Sequence, residues 1–400
     1  MSTQTCLIYL VEKWKKSLDR SGKCGVLLTD LSKAFDCLLH DLLIAKLHAY
    51  GFEHKALKLL FNYLSNRVQR VKVNSSYSTW GEIETGVPQG SILGPVLYNI
   101  NSNDVVLFLI LEIANFADDN SPFTVATSIP TVLSQLESDS KILLAWIGNN
   151  GLKANPDKFH LLLSDQDESL SIVVENHDIK NSRTQKLLGI TFDNKLTFKN
   201  HVTILCKKAS QKIHALSRIY KYMTINQRKV IMKTFVLSHF GYCPLIWMFC
   251  GRTLNNKINK IHERSLRMIY DDHTSTFESL LERDQSFTIH ETNIQSLAIE
   301  LYKVVFNLSP DLMKRVFPIN PNPRYPSQNT FITRNIKTVS WGTESLSNIG
   351  PIIWENIPRE LKRYSLSKFK TQIRKWKPTH CPCRICKNYI PNLGYASISN

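Results

Sequence analysis

Several features are scarce in this sequence of 400 residues. It contains only 15 glycines and 16 prolines, a level that excludes collagen-like and low-complexity chains. Its nine cysteines are odd in number and most are scattered without pattern, so a disulfide framework is not predicted. The first ten residues lack the basic start and long apolar core of a signal peptide, which predicts an intracellular protein of the nucleus or the cytoplasm.

Long hydrophobic runs are also missing. The most apolar stretch, residues 234–250, is interrupted by Ser238, His239 and Tyr242. It is shorter than the roughly 20 apolar residues that a membrane-spanning helix needs. We therefore expect one buried helix at this place and no membrane partner.

Acidic residues are scarce in the second half of the chain. Residues 1–200 hold 20 basic and 21 acidic residues, whereas residues 201–400 hold 30 basic and 12 acidic residues. Residues 201–250 contain no acid, and their basic residues are Lys207, Lys208, Lys212, Arg218, Lys221, Arg228, Lys229 and Lys233. This charge predicts a polyanionic partner, most often nucleic acid, with an anionic membrane surface as the lesser alternative. A solvated helical face that binds nothing is the remaining interpretation.

The hydrophobic pattern predicts an α+β protein. Residues 25–30 form a short apolar run that ends in a carboxylate, which indicates a central strand. Further strands are predicted at residues 67–73, 79–85, 159–163, 171–174 and 186–192, and helices at residues 38–50, 55–64 and 131–147. Basic amphipathic helices follow residue 196, and a Pro- and Asn-rich linker is predicted at residues 308–330.

Two acidic segments stand out in the first half. Asp30 ends the predicted central strand, where a buried carboxylate is costly to desolvate unless a cation meets it. A helix N-cap is the alternative interpretation of Asp30. Asp118 and Asp119 lie between two apolar segments, which predicts a β-hairpin with acids at its tip, although turn propensity alone would also explain them. Together the three carboxylates could hold two hard cations, as phosphoryl transfer requires.

A glycine-rich loop completes a set of three motifs. Residues 86–95 read Gly-Val-Pro-Gln-Gly-Ser-Ile-Leu-Gly-Pro and predict a turn that opens a helix. They follow Thr-Asp-Leu-Ser-Lys-Ala-Phe-Asp at residues 29–36 and precede Phe-Ala-Asp-Asp at residues 116–119. In this order the motifs resemble the reverse transcriptase of a non-LTR (LINE-type, jockey-like) retrotransposon. Residues 150–158 and 186–190 are similar to the segment after the catalytic hairpin and to the primer grip of that family.

The resemblance implies a polymerase palm, which is an antiparallel sheet with packed helices. It also implies the activity of an RNA-directed DNA polymerase, which transfers nucleotides to a primer 3′-hydroxyl. Asp30 and Asp118 would bind two Mg²⁺ ions, with Asp119 beside them and the Leu31 carbonyl completing the shell of one ion. Lys158 would protonate the departing pyrophosphate, electrostatically or as a general acid. An exposed lysine without a catalytic role is the alternative for Lys158.

The same resemblance implies three nucleotide-contacting residues. Phe35 would stack under the incoming sugar and exclude a 2′-hydroxyl, so that dNTPs are preferred, although a plain core phenylalanine is the alternative. Gln89 and Gly90 would contact the incoming nucleotide and the templating base pair. The partners are then dNTPs, an RNA template and a DNA primer, held by phosphate contacts from the basic second half.

The predicted domains follow from these assignments. They are a remnant of fingers or a linker at residues 1–24, the palm at 25–195, a basic helical thumb-like domain at 196–307, and a linker with a basic C-terminal region at 308–400. Because only 29 residues precede Asp30, we expect a chain truncated at the amino terminus, without the fingers and endonuclease of the family. A separate endonuclease-bearing element protein would then supply the nicked primer.

Because the segment before Asp30 is short, two functional hypotheses remain open. One is an active polymerase, and the other is an inactive element remnant that binds nucleic acid without polymerising. A metal-dependent nuclease is disfavoured because no histidine or lysine base stands beside the acids in the sequence.

A cysteine cluster lies near the carboxyl terminus. Cys383 and Cys386 have the spacing of zinc ligands, and Cys381 or His380 could supply more. No fourth ligand is evident in the sequence, so free thiols in a basic tail are the alternative to Zn²⁺.

Overall fold

A computed structural model describes residues 2–117, 119–166, 168–321, 330–378, 381–387, 389–390 and 394–395. The chain divides into two compact units. The sheet unit is Lys23–Arg183, and the helical unit is Met1–Gly22 together with Thr184–Asn400. Helices and antiparallel strands are both present, so the predicted α+β class is confirmed. Among the described residues, no helix combines the length and the hydropathy that crossing a bilayer requires.

The elements are numbered in chain order. The helices are α1 Thr3–Leu18, α2 His40–Ala49, α3 His54–Leu64, α4 Leu93–Ser102, α5 Val105–Phe108, α6 Ile129–Asn149, α7 Lys199–Leu216, α8 Ile225–Phe235, α9 Pro244–Trp247, α10 Arg252–Tyr270, α11 Phe277–Asp284, α12 Ile289–Val305, α13 Asp311–Val316, α14 Leu346–Asn356, α15 Arg359–Lys362, α16 Leu366–Ile373 and α17 Arg384–Lys387. The strands are β1 Lys23–Leu28, β2 Leu31–Ser32, β3 Arg67–Gln69, β4 Lys72–Val73, β5 Ser76–Tyr77, β6 Gly81–Ile83, β7 Glu112–Phe116, β8 Asp119–Ala126, β9 Lys153–Ala154, β10 His160–Leu163, β11 Ser171–Val174, β12 His177–Lys180, β13 Thr184–Leu187, β14 Ile190–Asp193, β15 Tyr389–Ile390 and β16 Gly394–Tyr395.

The sheet unit is built on four antiparallel strands in the order β10-β1-β8-β7. Five of the six residues of β1 are buried, as expected for a central strand. Helix α6 packs across β1 and β8. It approaches closely at Gly25, where an added Cβ would lie 2.5 Å from Val132 Cγ1. Gly25 therefore sets the distance between the sheet and its covering helix.

A second core in the sheet unit lies among α2, α3, α4 and the end of α6. Its fully buried residues include Leu43, Leu47, Leu97 and Tyr98. Helices α2 and α3 begin and end within two residues of their predicted limits. Strands β3 and β6 lie within the predicted strands 67–73 and 79–85 and pair with each other. The apolar spacing of these segments was therefore sufficient to predict them.

The helical unit is centred on α10, which packs against α7, α8, α11 and α12. Helix α12 also packs against α14 and α16. Helix α1 belongs to this unit: it contacts α9, α13 and a π-helical turn at Val339–Thr343. Its apolar face, with Leu7, Leu10 and Trp14, is buried. The segment predicted as a fingers remnant or linker is thus a packed helix.

Four segments differ from their predicted structure. The single strand predicted at residues 67–73 is interrupted at residues 70–71 and forms β3 and β4. The single strand predicted at residues 186–192 is a hairpin of β13 and β14, because Leu188 and Gly189 turn the chain with positive φ. The single helix predicted at residues 234–250 is broken after α8 by Cys243 in the left-handed region and by Pro244. The predicted linker contains α13, whose Met313 side chain is fully buried.

Candidate active site

One end of the central sheet brings two of the predicted carboxylates together. Thr29, just after β1, pairs with Asn120 of β8, and its N–H and Oγ1 both donate to the Asn120 carbonyl over 3.1 and 2.6 Å. Asp30 follows Thr29, and Asp119 precedes Asn120 in this antiparallel register. Facing residues of an antiparallel ladder lie about 4.5 to 5.5 Å apart at Cα. Asp30 and Asp119 are therefore neighbours at one end of the sheet.

The predicted hairpin with acids at its tip is present as β7 and β8. Phe116 pairs with Asp119 in register, and Ala117 adopts a φ of +55°. A non-glycine residue in the left-handed region costs about 1 kcal/mol, which indicates strain at this turn. Asp118, the predicted partner of Asp30 as a metal ligand, lies outside the described residues.

The backbone of Asp30 is fixed by neighbouring strands. Its carbonyl accepts a hydrogen bond from the Asn155 N–H over 3.1 Å, and Leu31 pairs with Ala154 between β2 and β9. In this fully described stretch no helix begins after Asp30, since α2 starts only at His40. The alternative interpretation of Asp30 as a helix N-cap is therefore wrong.

Lys158 lies against Asp30. It follows β9 in a short 3-10 helix, and its Nζ is 3.1 Å from Asp30 Oδ2. The two side chains are 62% and 38% exposed, so water screens the pair and its contribution to stability is about 0 to 1 kcal/mol. The contact therefore places a cation beside a candidate metal ligand rather than stabilising the fold.

Phe35 is stacked on Tyr98. The ring centroids are 4.5 Å apart with an interplanar angle of 26°. Tyr98 of α4 is fully buried, whereas Phe35 is only partly buried against the second core. Phe35 is thus partly buried against the core and partly accessible, and its position under a nucleotide sugar stays a prediction.

The glycine-rich loop packs on the segment that follows Phe35. The Gly86 N–H donates to the Leu38 carbonyl over 2.7 Å, and the Val87 N–H donates to the Phe35 carbonyl over 2.9 Å. Gly86 has a φ of +86°, and an added Cβ would lie 2.7 Å from the Asp36 Cα. Glycine is therefore required here both by the backbone conformation and by the close approach of the two segments.

Gln89 and Gly90 lie at the exposed end of this loop. Gln89 Nε2 donates to Asp36 Oδ1 over 2.9 Å. Gly90 has a φ of +81° and no atom within 4 Å of an added Cβ. The backbone at Gly90 is thus open to a ligand, while Gln89 is already oriented by a carboxylate.

The predicted residues form two groups. Asp30, Asp119 and Lys158 lie at the end of the sheet, and Phe35, Gln89 and Gly90 lie around the glycine-rich loop, with residues 31–36 connecting them. Sequence reasoning missed Tyr98 and Asn155, which position Phe35 and Asp30. The helical spacing of Gly94, Leu97 and Tyr98 would have predicted the buried face of Tyr98. Asn155 lies within residues 150–158, which the resemblance includes, but nothing in the sequence indicated its contact with Asp30.

A cavity of about 720 Å³ lies elsewhere in the sheet unit. Among the described residues, its lining comes from α2, the end of α3, β3 and β6, and includes none of the predicted site residues. The site is therefore assigned from the carboxylates and the loop rather than from cavity size.

The β3 to β6 segment carries an exposed basic and aromatic surface. The guanidinium of Arg70 lies 4.0 Å from the ring centroid of Tyr77 and 4.6 Å from that of Trp80. The two rings are 50% and 60% exposed. Exposed aromatic rings beside arginine are typical of surfaces on which unpaired bases stack.

The eight basic residues of the acid-free segment 201–250 fall into two classes. Lys207, Lys208, Lys212, Arg218, Lys221 and Lys233 are exposed. Arg228 and Lys229 are instead engaged within the fold: Arg228 Nε donates to the Tyr220 carbonyl over 2.8 Å, and Lys229 Nζ is 3.0 Å from Asp284 Oδ1. The exposed class alone is available for phosphate contacts.

A groove between α7 and α10 adds three cations that the sequence interpretation did not single out. It has a volume of about 400 Å³, and its basic lining residues are Lys207, Lys257, Lys260 and Arg264. We call these four residues the basic groove. The spacing of three and four residues between 257, 260 and 264 is a helical signal that would have predicted their common face.

The candidate zinc ligands Cys381, Cys383 and Cys386 are brought together in the helical unit. His290, from the first turn of α12, joins them, and the ligand atoms of all four lie within 4.8 Å of one another. His380 lies outside the described residues. His290 was missed because it stands far from the cysteines in the sequence.

The chain is similar to known reverse transcriptases. Residues 3–192 match the family model "Reverse transcriptase (RNA-dependent DNA polymerase)". The probable RNA-directed DNA polymerase from transposon BS of Drosophila melanogaster is 27% identical over 70% of this chain and 32% of its own length. The RNA-directed DNA polymerase from mobile element jockey of the same species is 25% identical over 74% of this chain and 34% of its own length.

The chain spans about a third of the length of these curated relatives. Among solved structures, telomerase from Candida albicans in complex with a fragment of telomeric RNA is 14% identical, with a TM-score of 0.37, covering 72% of this chain and 55% of the telomerase chain. The ordered motifs, the strand-end carboxylates and the family match agree. Residues 3–192 of this chain therefore resemble a reverse transcriptase domain, and the curated relatives that match it include the polymerase of the mobile element jockey.

Proposed function

We propose that this chain is an RNA-directed DNA polymerase that adds deoxynucleotides to a primer 3′-hydroxyl. The observation that carries the proposal is the register of β1 and β8, in which Thr29 faces Asn120 and Asp30 neighbours Asp119. A sheet that ends in adjacent, partly exposed carboxylates supplies negative charge where a phosphoryl-transfer enzyme needs metal ions.

Asp30, Asp118 and Asp119 would hold Mg²⁺, with the Leu31 carbonyl as a further ligand. Carboxylate and carbonyl oxygens are the ligands that this hard cation prefers, so the residues fit the ion. Bound Mg²⁺ would lower the pKa of the attacking hydroxyl and offset charge on the leaving pyrophosphate. The carboxylates themselves would set the position of the ions at the end of the sheet.

Other residues of the sheet unit would act on the nucleotide directly. Lys158, 3.1 Å from Asp30, would place a positive charge or a proton near the departing pyrophosphate. Phe35, backed by the buried Tyr98 ring, would lie under the sugar as a rigid surface. Gly90, whose backbone is open, and the adjacent Gln89 would contact the incoming nucleotide and the templating pair.

The RNA template and DNA primer would be held mainly through phosphates. The exposed lysines of α7 and the basic groove offer charge without base-specific groups, as copying an arbitrary sequence requires. The Arg70, Tyr77 and Trp80 surface would stack on unpaired template bases.

The domain assignment belongs to the same proposal. We assign a palm to residues 25–195, a thumb to 196–307 and a basic C-terminal region to 308–400, with the protein acting in the nucleus or the cytoplasm. The primer would be nicked target DNA from a separate endonuclease-bearing protein.

The test is primer extension by the purified chain on an RNA template with Mg²⁺ and dNTPs. The Asp118→Ala, Asp119→Ala double variant should abolish extension, whereas Asp178→Ala, which removes an exposed carboxylate of β12, should leave it unchanged. If the wild type binds template-primer in a salt-dependent manner but does not extend it, the chain is a non-polymerising nucleic-acid-binding remnant instead.

A further inference from the structure

We infer that His290, Cys381, Cys383 and Cys386 form a structural Zn²⁺ site that attaches the C-terminal segment to the first turn of α12. The inference does not depend on the polymerase proposal. It rests on four ligand atoms of the types that zinc prefers, converging from two segments that lie far apart in the sequence.

The ligand geometry is close to that of a tetrahedral site. Zn–S and Zn–N bonds of about 2.3 and 2.0 Å give edges of roughly 3.5 to 3.8 Å between ligand atoms. Cys383 Sγ is 3.3 Å from His290 Nε2, and all four ligand atoms lie within 4.8 Å of one another. Small side-chain rotations would therefore be sufficient to complete the tetrahedron.

Burial distinguishes this group from reactive surface thiols. Cys383 is fully buried, Cys381 and His290 are 7% and 4% exposed, and Cys386 is partly buried. Three thiols and an imidazole in such a place have few hydrogen-bond partners that would compensate their desolvation. A closed set of four protein ligands without a water position is typical of structural rather than catalytic zinc.

The surrounding contacts position the ligands independently of a metal. The Cys386 N–H points to Cys383 Sγ at 3.5 Å, so the backbone already brings these two ligand residues together. The His290 ring lies edge-on to Phe249, with centroids 6.3 Å apart, and the capping box of Thr288 and Glu291 fixes the start of α12 around it. Both ligand segments are thus held near their final geometry.

A salt bridge fastens the cysteine segment at a second point. Arg384, between two of the cysteines, donates from Nε to Glu344 Oε1 over 2.9 Å. Glu344 is 4% exposed whereas the Arg384 side chain is 53% exposed, so the carboxylate of the pair is shielded from water and the guanidinium is not. The zinc site and this pair would together hold the segment 381–387 on the helical unit.

The first experiment measures metal in the full chain, purified without chelators. We expect about one equivalent of zinc, and X-ray absorption with three sulfur ligands at about 2.3 Å and one nitrogen at about 2.0 Å. Less than about a tenth of an equivalent, or a disulfide among the three cysteines with no metal, would overturn the inference.

Variants then identify the ligands. His290→Ala and Cys383→Ser should weaken Zn²⁺ binding by about 100-fold or more in competition with a chromophoric chelator. Cys206→Ser is the matched control, since it removes a mostly buried thiol of α7 and should retain full zinc. If His290→Ala keeps wild-type affinity and the same absorption spectrum, His290 is not a ligand.

A protease measurement reports the attachment directly and does not require a variant to fold. Chelation of the wild type should increase tryptic cleavage after Arg384 and Lys387, and added Zn²⁺ should reverse it. A cleavage rate that does not change on chelation would contradict the proposed role of Zn²⁺ in attaching the segment. Because none of these readouts uses polymerisation, they remain interpretable if the polymerase proposal fails.

Discussion

The carboxylates of the sheet unit and the cysteines of the helical unit are two candidate metal sites built in opposite ways. Asp30 and Lys158 are partly exposed and already joined as an ion pair, whereas the sulfur and imidazole ligands are largely buried. Exposed oxygen ligands suit a cation that arrives and leaves with substrate, and buried sulfur ligands suit one that stays. Burial and ligand type therefore distinguish a site for a catalytic, exchangeable ion from a site for a structural ion.

The largest expected effect is at the exposed site. Asp30→Asn keeps the size of the side chain but removes its charge, so the weakened metal site should reduce primer extension by roughly 1,000-fold or more, about 4 kcal/mol in the barrier. Single-turnover extension is the measurement, with Asp178→Ala as control. Equal activity of Asp30→Asn and wild type would remove Asp30 from the site.

The next effect is a pH dependence of stability in the helical unit. Burial lowers the pKa of His262 to about 4, and burial together with Lys208 lowers the pKa of His201 to about 4. Because the unfolded chain takes up these protons near pH 6.5, stability is complete above that pH and falls toward pH 4 by about 3 kcal/mol for each histidine.

Denaturant unfolding at several pH values between about 7 and 4 would measure this decrease. His262→Leu should reduce the total loss of unfolding free energy between pH 7 and pH 4 by about half, because one of the two protonations is removed. An unchanged profile in that variant would show that His262 does not resist protonation in the folded state.

A smaller effect is expected at Lys158. Lys158→Ala should change the free energy of unfolding by less than about 1 kcal/mol, because the ion pair is exposed, but reduce extension by roughly 100-fold. Lys158→Arg keeps the positive charge but is a poor proton donor. Its activity therefore distinguishes electrostatic stabilisation of the pyrophosphate from proton transfer to it. If Lys158→Ala is as active as wild type, the lysine only neutralises Asp30 in the free enzyme.

The smallest effect concerns the basic groove. Lys257→Ala with Lys260→Ala should lower the slope of log affinity against log salt by about 0.9 for each phosphate that the variant no longer neutralises. The measurement is template-primer binding over a salt series. Lys303→Ala is the control, because Lys303 is paired with Glu300 at 2.7 Å and should leave the slope unchanged.

The local parts of the fold could be predicted from the sequence. The apolar run before Asp30 predicted β1, and the apolar segments around Asp118 and Asp119 predicted the β7–β8 hairpin. In both cases neighbouring residues carry the whole signal: alternation or burial along the chain and a turn between two strands. The adjacency of Asp30 to Asp119 followed from these two predictions together.

The remaining features depend on contacts between distant residues. His290 is 93 positions from Cys383, so no spacing rule connects them. The break in the predicted helix at residues 234–250 depends on Cys243 in a left-handed conformation, which tertiary packing imposes on a residue type that does not favour it. Likewise Arg228 and Lys229 look like their exposed neighbours in the sequence, and only the fold shows that they are engaged.

The position of α1 has a consequence for how the protein is made. Its partners α9, α13 and the turn at Val339–Thr343 are encoded far downstream. At roughly 5 to 20 residues per second, a ribosome needs about 15 to 60 seconds after α1 to deliver them. During that interval the apolar face with Leu7, Leu10 and Trp14 lacks these partners, although Phe192 of β14 can pack against Trp14 once it is made. The nascent chain should therefore bind chaperones at α1 before the rest of the unit is complete.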